Sequence, residues 1–421
     1  MNLNEQLARA FDIDQYRGAG LFKAAKADAV TESIVPMHSL QRILRPLFGK
    51  GPPNLPEIGD HPDFQHLKGT TNQQFAPITT LFFDIENSTR LGLLYDPEDV
   101  YAIKNAFICT AIEIVRAFDG HVHRIMGDAV MAYFGRTVSI GPEQGAVDAM
   151  NCAAALQYFS QYVIVPKLEH TGFTESEFGI RVGVDYGPAE KVLWASYGYP
   201  GIEEVTATSF NVDAASKLQH AARRNQVMIG DSLIEFLDYP RELLAVQFSA
   251  RDGRKIDEPY LTPNLTDGQG QPVNYRQHVL RCDQHLSLTQ LSQEQTSVRA
   301  TNPVRVVVTR AHEQAKTAYL PASLVLPKGD NLTFSVTVPP IRSADSVTFS
   351  AENHGAEAKA AGEKYGGQPF HNHSKTYTVK TTPTTVSHNE STLYRGLHYM
   401  TVTVTGDGRT LYTTRMGIFV A

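Results

Sequence analysis

The sequence predicts an α+β domain followed by an all-β sandwich, and three observations carry that expectation. Between Ile78 and about Asp283, short apolar runs alternate with longer segments whose apolar residues recur every three or four positions. The last 120 residues change to alternating Thr- and Val-rich runs punctuated by Gly, Asn, Asp and Pro. At 421 residues the chain also exceeds what one hydrophobic core usually serves.

In chain order, residues 1–76 open with a short helical pattern and run into GKGPPNLPEIGDHPD, proline- and glycine-bearing text that resists regular structure. They read as a leader or dimer-packing arm. Residues 77–284 form the first domain: the strand-like ITTLFFD, the helical PEDVYAIKNAFICTAIEIVRAF, the runs HVHRI and AVMAYF, and the alanine-rich AVDAMNCAAALQYF. FGIRVGVDYG, a helix around AASKLQHAARR, the strand QVMIG and the helix SLIEFLDY follow, an interleaving that indicates helices packed on a sheet. Residues 285–301, poor in apolar side chains, read as a linker. Residues 302–421 carry VRVVVTRA, NLTFSVTVP, SVTFSAEN, KTYTVKT and YMTVTVTG, the pattern of a β-sandwich.

Composition narrows the function classes. Hydrophobic residues at 42% and charged ones at 19% suit a globular protein, and a formal net charge of −6 argues against broad capture of nucleic acid or anionic membrane. Any phosphate site is therefore local. Three cysteines, far apart and without a CxxC, suggest neither a disulfide framework nor a thiolate zinc site. Neither a signal peptide nor a stretch of about 18 apolar residues is present, so a soluble protein of the reducing cytoplasm is expected.

The sharpest feature is FFDIENSTRL (Phe82 to Leu91), followed about forty residues later by GHVHRIMGDAVMAYFG (Gly120 to Gly135). Asp84 ends an apolar run and precedes a small polar segment whose backbone N–H groups could cradle phosphates. Asp128 follows glycine between two strand-like runs, and a hairpin there would bring its carboxylate beside Asp84. Two such acids repel unless divalent cations bridge them, and two metals could activate a ribose hydroxyl while neutralising triphosphate charge. Either aspartate alone reads more simply as a turn or cap residue.

Together with their flanks, these residues resemble the two metal-binding motifs of the class III adenylate and guanylate cyclases, over roughly residues 78 to 283. FGIRVGVDYGPA is similar to that family's RxGxxxG strand-turn, and VDAASKL to its VNxAxRL helix. The resemblance implies a ferredoxin-like catalytic domain and two divalent ions, Mn²⁺ or Mg²⁺, held by Asp84, Asp128 and the carbonyl of Ile85. It implies phosphate binding by Glu86, Asn87, Ser88 and Thr89 and by the late Lys255. Asp213 stands where the family has its ribose-orienting asparagine, and Lys217 where it has its transition-state arginine; nearby Asn211 is a further candidate for the amide. A plain intrahelical salt bridge between Asp213 and Lys217 is the competing reading. The family's head-to-tail homodimer, with two composite sites, is implied as well.

The base-reading positions of the family correspond here to Arg124 and Thr206. Arginine offers only donors and threonine either role, and without a negative acceptor for an exocyclic amine the reading favours uracil, with cytosine and adenine open. The architecture, a divergent cyclase joined to a β-rich module, resembles the bacterial pyrimidine cyclases of Pycsar antiphage defence and their adenylyl/guanylyl and SMODS C-terminal sensor domain. It implies conversion of UTP, alternatively CTP or ATP, to a 3′,5′-cyclic monophosphate and pyrophosphate, and a separate effector that responds to the product. A catalytically degenerate nucleotide-binding scaffold is the reading of another class. His354, His371, His373, His388 and His398 crowd the last domain; with no carboxylate at matching spacing, HNH in PFHNHSK reads as a polar loop.

Overall fold

A computed structural model describes residues 3–10, 38–135, 141–170, 178–251, 254–261, 265–291, 304–312, 315–341, 343–364 and 372–421. The first domain is built on a seven-stranded sheet of β1 (Ile78–Ile85), β2 (His121–Met126), β3 (Ala129–Phe134), β4 (Ile180–Gly187), β5 (Gln226–Gly230), β6 (Leu244–Ala245) and β7 (Gln277–Leu280). The strands lie in the order β2-β3-β1-β4-β5-β7-β6. With the helices Pro97–Ala117 and Pro142–Phe159 as crossovers, the first four give the βαββαβ arrangement of a ferredoxin-like fold, antiparallel throughout.

Strand β1 sits at the centre because it can be buried on both faces: seven of its eight residues are buried. Pro97–Ala117 begins with proline and carries Glu98 and Asp99 in its first turn, where a carboxylate faces the positive helix end. Its buried positions 103, 106, 107, 110, 111, 114 and 115 form one stripe. Pro142–Phe159 is buried on every side from Gln144 to Phe159, as expected of a helix lying between two layers of protein.

A smaller three-stranded sheet, Gln73–Phe75, Leu193–Tyr199 and Ile202–Thr208, flanks the main one. Its core is aromatic: Phe64 stacks on Trp194 with ring centroids 3.9 Å apart, and Tyr133 packs edge-on against the same indole. Burying Phe64 contributes about 3 kcal/mol on area grounds.

The leader segment is tied to this domain. Helix Ser39–Leu47 packs against Pro97–Ala117. Arg45 donates to the carbonyls of Arg116 and Ala117 and to Asp119, and Lys50 bridges Asp119 and Asp148 at 3.0 and 2.9 Å. The segment expected to be a linker starts inside the core, with Leu286, Leu288 and Leu291 buried in the main cluster. Ser, Thr and Gln dominate its composition and mask those three leucines; residues 292–301 lie outside the described region.

The C-terminal residues form two sheets, one of four strands and one of five, around a core that includes Leu332, Phe334, Val336, Phe349, Val402 and Met416. This lobe is continuous with the first: Ala322, Leu397, Tyr399 and Phe419 belong to the main core of the first domain. Gln144 and Asn151 donate to the carbonyls of Ser323 and Ala322, both at 2.9 Å, and Asn151 also meets buried His285 at 2.9 Å. The polar-loop expectation for PFHNHSK is corrected here. His373 begins the strand His373–Thr378, and a carboxylate partner exists in Glu390, 17 residues away in sequence and on the other sheet. His371 lies outside the described residues. Among the described residues, no helix is long and apolar enough to cross a membrane.

Candidate active site

Asp84 lies near the end of β1 and Asp128 in the two-residue turn joining β2 to β3, where Gly127 takes φ +69°, a conformation that side chains rarely adopt. The antiparallel register sets Asp84 opposite Ala129, the residue after Asp128, and the Ile85 amide donates to the Asp128 carbonyl at 3.3 Å. The two acids are therefore cross-strand neighbours, as the hairpin expectation required.

Their electrostatics follow from that placement. Burial pushes the Asp84 carboxyl above its usual range, Arg181 pulls it back, and Asp128 adds repulsion in the same direction as burial. Arg181, directly opposite Asp84 on β4, forms an ion pair with its Oδ2, with Nε at 3.1 Å. Gln219 donates to the same oxygen at 3.1 Å. Sequence reading missed both partners. Arg181 sits inside the RxGxxxG-like segment, but only the β1–β4 register shows that it faces Asp84. Gln219 reaches the site because Gly183 lacks a side chain: a Cβ there would lie 2.2 Å from the Ala215 carbonyl oxygen. Helix Phe210–Ala221 can thus lie directly on the sheet.

The segment after β1 turns sharply at Asn87, φ 56°, into the short helix Ser88–Leu94. Ser88 is buried and its hydroxyl donates to Asp128, while Thr89 is exposed. Burial raises the Glu86 carboxyl, against the opposing fields of Arg181 and Arg224. Its Oε2 is buried with no hydrogen-bond partner. Two adjacent carboxylates beside a backbone carbonyl, with an orphaned carboxylate oxygen close by in sequence, form an all-oxygen donor set of the kind that suits Mg²⁺ or Mn²⁺. A guanidinium already neutralises one member. The residues fit the implied ions.

A second group forms on the flanking sheet. Arg124 makes a two-pronged ion pair with Glu204, which also contacts His123 at 2.6 Å; Thr206, two residues on along the same strand, bonds the Tyr133 hydroxyl at 3.0 Å. Arg124 meets Glu204 and Thr206 meets Tyr133, and the reading that no negative acceptor is present is corrected by Glu204. An alternate position on a strand shares a face, and that period could have flagged Glu204 from Thr206.

The remaining candidates separate. Asp213 and Lys217 are exposed on one face of Phe210–Ala221, and no ion pair joins them, so the intrahelical bridge is not formed. Asn211 is buried and donates to Asp185 at 3.0 Å beside Tyr275, so its amide is engaged within the fold. Burial raises Asp185 to about 7. Lys255 is exposed on the strand Arg254–Asp257, which pairs with Phe248–Arg251, its Nζ 4.4 Å above the Phe248 ring.

Comparison with known proteins gives the family. Residues 70–257 match the model of the adenylate and guanylate cyclase catalytic domain, and residues 286–421 that of the adenylyl/guanylyl and SMODS C-terminal sensor domain. An Escherichia coli protein named cytidylate cyclase is 34% identical over 88% of this chain and 81% of its own length. A Staphylococcus aureus protein of the same name is 33% identical over 85% and 81%. The crystal structure of the adenylyl cyclase CyaB from P. aeruginosa aligns with 50% of this chain and 95% of that chain, at 18% identity and a TM-score of 0.40. With curated relatives of this similarity spanning most of its length, the chain belongs to the class III nucleotide cyclases that join a catalytic domain to a C-terminal sensor domain.

Proposed function

We propose that the chain is a cytidylate cyclase, forming 3′,5′-cyclic CMP and pyrophosphate from CTP. The observation that carries the choice of base is Glu204, set on Arg124 and two residues from Thr206. A carboxylate accepts from the exocyclic amine of cytosine, which uracil lacks, while an arginine beside it donates to a ring carbonyl. The names of the relatives favour the same base. The preference for UTP drawn from Arg124 and Thr206 alone gives way to the cytidylate alternative once Glu204 is counted.

In this reading Asp84, Asp128 and the Ile85 carbonyl would hold two divalent cations, which when bound supply charge neutralisation of the triphosphate and activation of the ribose 3′-hydroxyl. Arg181, paired with Asp84, would supply a positive charge beside the bound triphosphate. The amides of Asn87 to Thr89 bind phosphate oxygens, whereas the Glu86 amide, expected to join them, already donates to the Gly179 carbonyl at 3.0 Å; Lys255 is a further phosphate contact. Lys217 balances charge developing on the phosphates, and Asp213 orients the ribose hydroxyls. Because Asp213 and Lys217 point outward, a second copy arranged head-to-tail brings them to the aspartates, giving two composite sites. The proposed domain limits are 1–76, 77–284 and 302–421, with the start of the intervening 285–301 segment packed into the core and not a free linker. The product acts as a signal to a separate effector in antiphage defence, the role implied by the resemblance to Pycsar cyclases.

The test is incubation of the purified chain and Mn²⁺ with an equimolar mixture of four nucleoside triphosphates, the products being identified by mass spectrometry. Cyclic CMP as the main product supports the proposal. Cyclic UMP restores the earlier base assignment, and tight triphosphate binding without any cyclic product indicates a degenerate scaffold.

A further inference from the structure

The two sheets of the C-terminal sandwich meet along one side through the strands His373–Thr378 and Thr384–Ser391. The first borders the five-stranded sheet and the second the four-stranded one. Along Thr384–Ser391, half-buried and exposed positions alternate, and the register sets His388 opposite Phe334 and Glu390 opposite Leu332, both core residues. Along His373–Thr378, Tyr377 stands opposite Val347, a core residue, and His373 opposite Ala351, packed against that core. Alternate side chains of a strand share a face, so these four polar groups stand on the core-facing side of their strands, Tyr377, His388 and Glu390 half-buried and His373 exposed at the rim.

They converge on one point. Nε2 of His373 and Nε2 of His388 each lie 2.6 Å from the same atom, Glu390 Oε1, and the Tyr377 hydroxyl lies 3.0 Å from His388 Nδ1. The three ligand-type atoms fall within 4.8 Å of one another, the one such trio of His, Cys, Asp or Glu among the described residues.

We infer that His373, His388 and Glu390 form a transition-metal site of the zinc class, separate from the catalytic carboxylates. Two imidazole nitrogens and one carboxylate oxygen are the donors of zinc sites that leave a fourth position for water or an incoming ligand. Imidazole favours such ions over Mg²⁺. Tyr377 holds the His388 ring through Nδ1 and leaves Nε2 turned to Glu390, the part that an outer partner plays for a metal-bound histidine. Accepting an ion needs only a small spreading of the trio, to donor separations of roughly 3.3 Å around a centre about 2.1 Å from each. The ion would pin the bordering strands of the two sheets together. Glu390 also lines a cavity of about 350 Å³ together with Leu332, Phe334, Asn389, Tyr399 and Met400, so a ligand entering that space would meet the metal's own carboxylate.

The test uses the full chain carrying Asp84→Asn and Asp128→Asn, which silences the proposed catalytic donors, stripped with chelator and titrated with Co²⁺ and then Zn²⁺. The expected result is the intense visible absorption of four-coordinate cobalt saturating near about one equivalent per chain and bleached by zinc. His388→Gln and Glu390→Gln should abolish it. His373→Gln, whose side chain is 41% exposed and so least tied to folding, should weaken affinity at least about tenfold. Circular dichroism establishes that each variant is folded. Absence of the cobalt spectrum in the folded parent, or an unchanged titration in folded His373→Gln, would overturn the inference and leave a hydrogen-bonded polar cluster.

Discussion

Replacing Glu204 by glutamine tests the base assignment with little risk to the fold. The Arg124 and Glu204 side chains are 43% and 33% exposed, and an ion pair so open to water contributes at most about 1 kcal/mol to stability. Its worth to a bound base is larger, because the base excludes water and a charge-assisted hydrogen bond in that setting contributes about 1.5–3 kcal/mol. Glutamine keeps the shape and a carbonyl acceptor but loses the charge, and its amide now offers a donor suited to the uracil carbonyl. The ratio of kcat/KM for CTP to that for UTP should therefore fall by roughly 10- to 100-fold, most of it through CTP. Competition between the two nucleotides, with cyclic products separated by mass spectrometry, reads the ratio directly. An unchanged ratio in a folded, active variant would refute the assignment of Glu204 to the base and return the choice to Arg124 and Thr206.

Other outcomes follow from the same geometry. Asp84→Ala and Lys217→Ala should each be inactive alone, yet mixing them should restore about a quarter of wild-type turnover, since half of randomly formed dimers then carry one intact composite site; no recovery on mixing would contradict the head-to-tail arrangement. Lys50→Met leaves Asp119 and Asp148 without their shared cation in a buried setting and should cost about 3 kcal/mol in urea unfolding, whereas a loss below about 0.5 kcal/mol would mean that the leader segment is not anchored there. Burial holds His285 down to about 4. Between the usual value of about 6.5 and that point the unfolded chain takes up a proton that the folded chain does not, so stability is lost as pH falls through this window. The gap corresponds to about 3 kcal/mol. His285→Gln should be less acid-sensitive than the wild type by about 2 kcal/mol when unfolding at pH 7 and pH 4.5 is compared, the rest of the gap being reached only below pH 4.

What could be read from the sequence divides along a physical line. Asp84 and Asp128 were visible because each lies at the edge of a continuous apolar run, so that local pattern alone fixes a strand, a turn and an acid at the strand end. Arg181 and Gln219 were not, since their meeting with Asp84 depends on the β1–β4 register and on the close approach of a helix at Gly183. Glu204 was within reach of the two-residue period but was hidden by attention to Thr206 alone. The His373, His388 and Glu390 trio shows the limit most clearly: its members come from strands of different sheets, and only the closing of the sandwich brings them together. Truncation at residue 301, the obvious probe of the C-terminal lobe, would remove Ala322, Leu397, Tyr399 and Phe419 from the catalytic lobe's own core. Point substitutions in the cavity are the better probe of sensing.

Everything proposed for the chemistry rests on two neighbouring carboxylates sharing cations. Manganese titration followed by electron paramagnetic resonance, in the presence of a non-cyclisable CTP analogue, measures this directly. The wild type should take up about two Mn²⁺ per active site, and Asp84→Asn and Asp128→Asn should each lose most of that binding together with all cyclic product. Retention of both ions and of turnover in either variant would contradict the account.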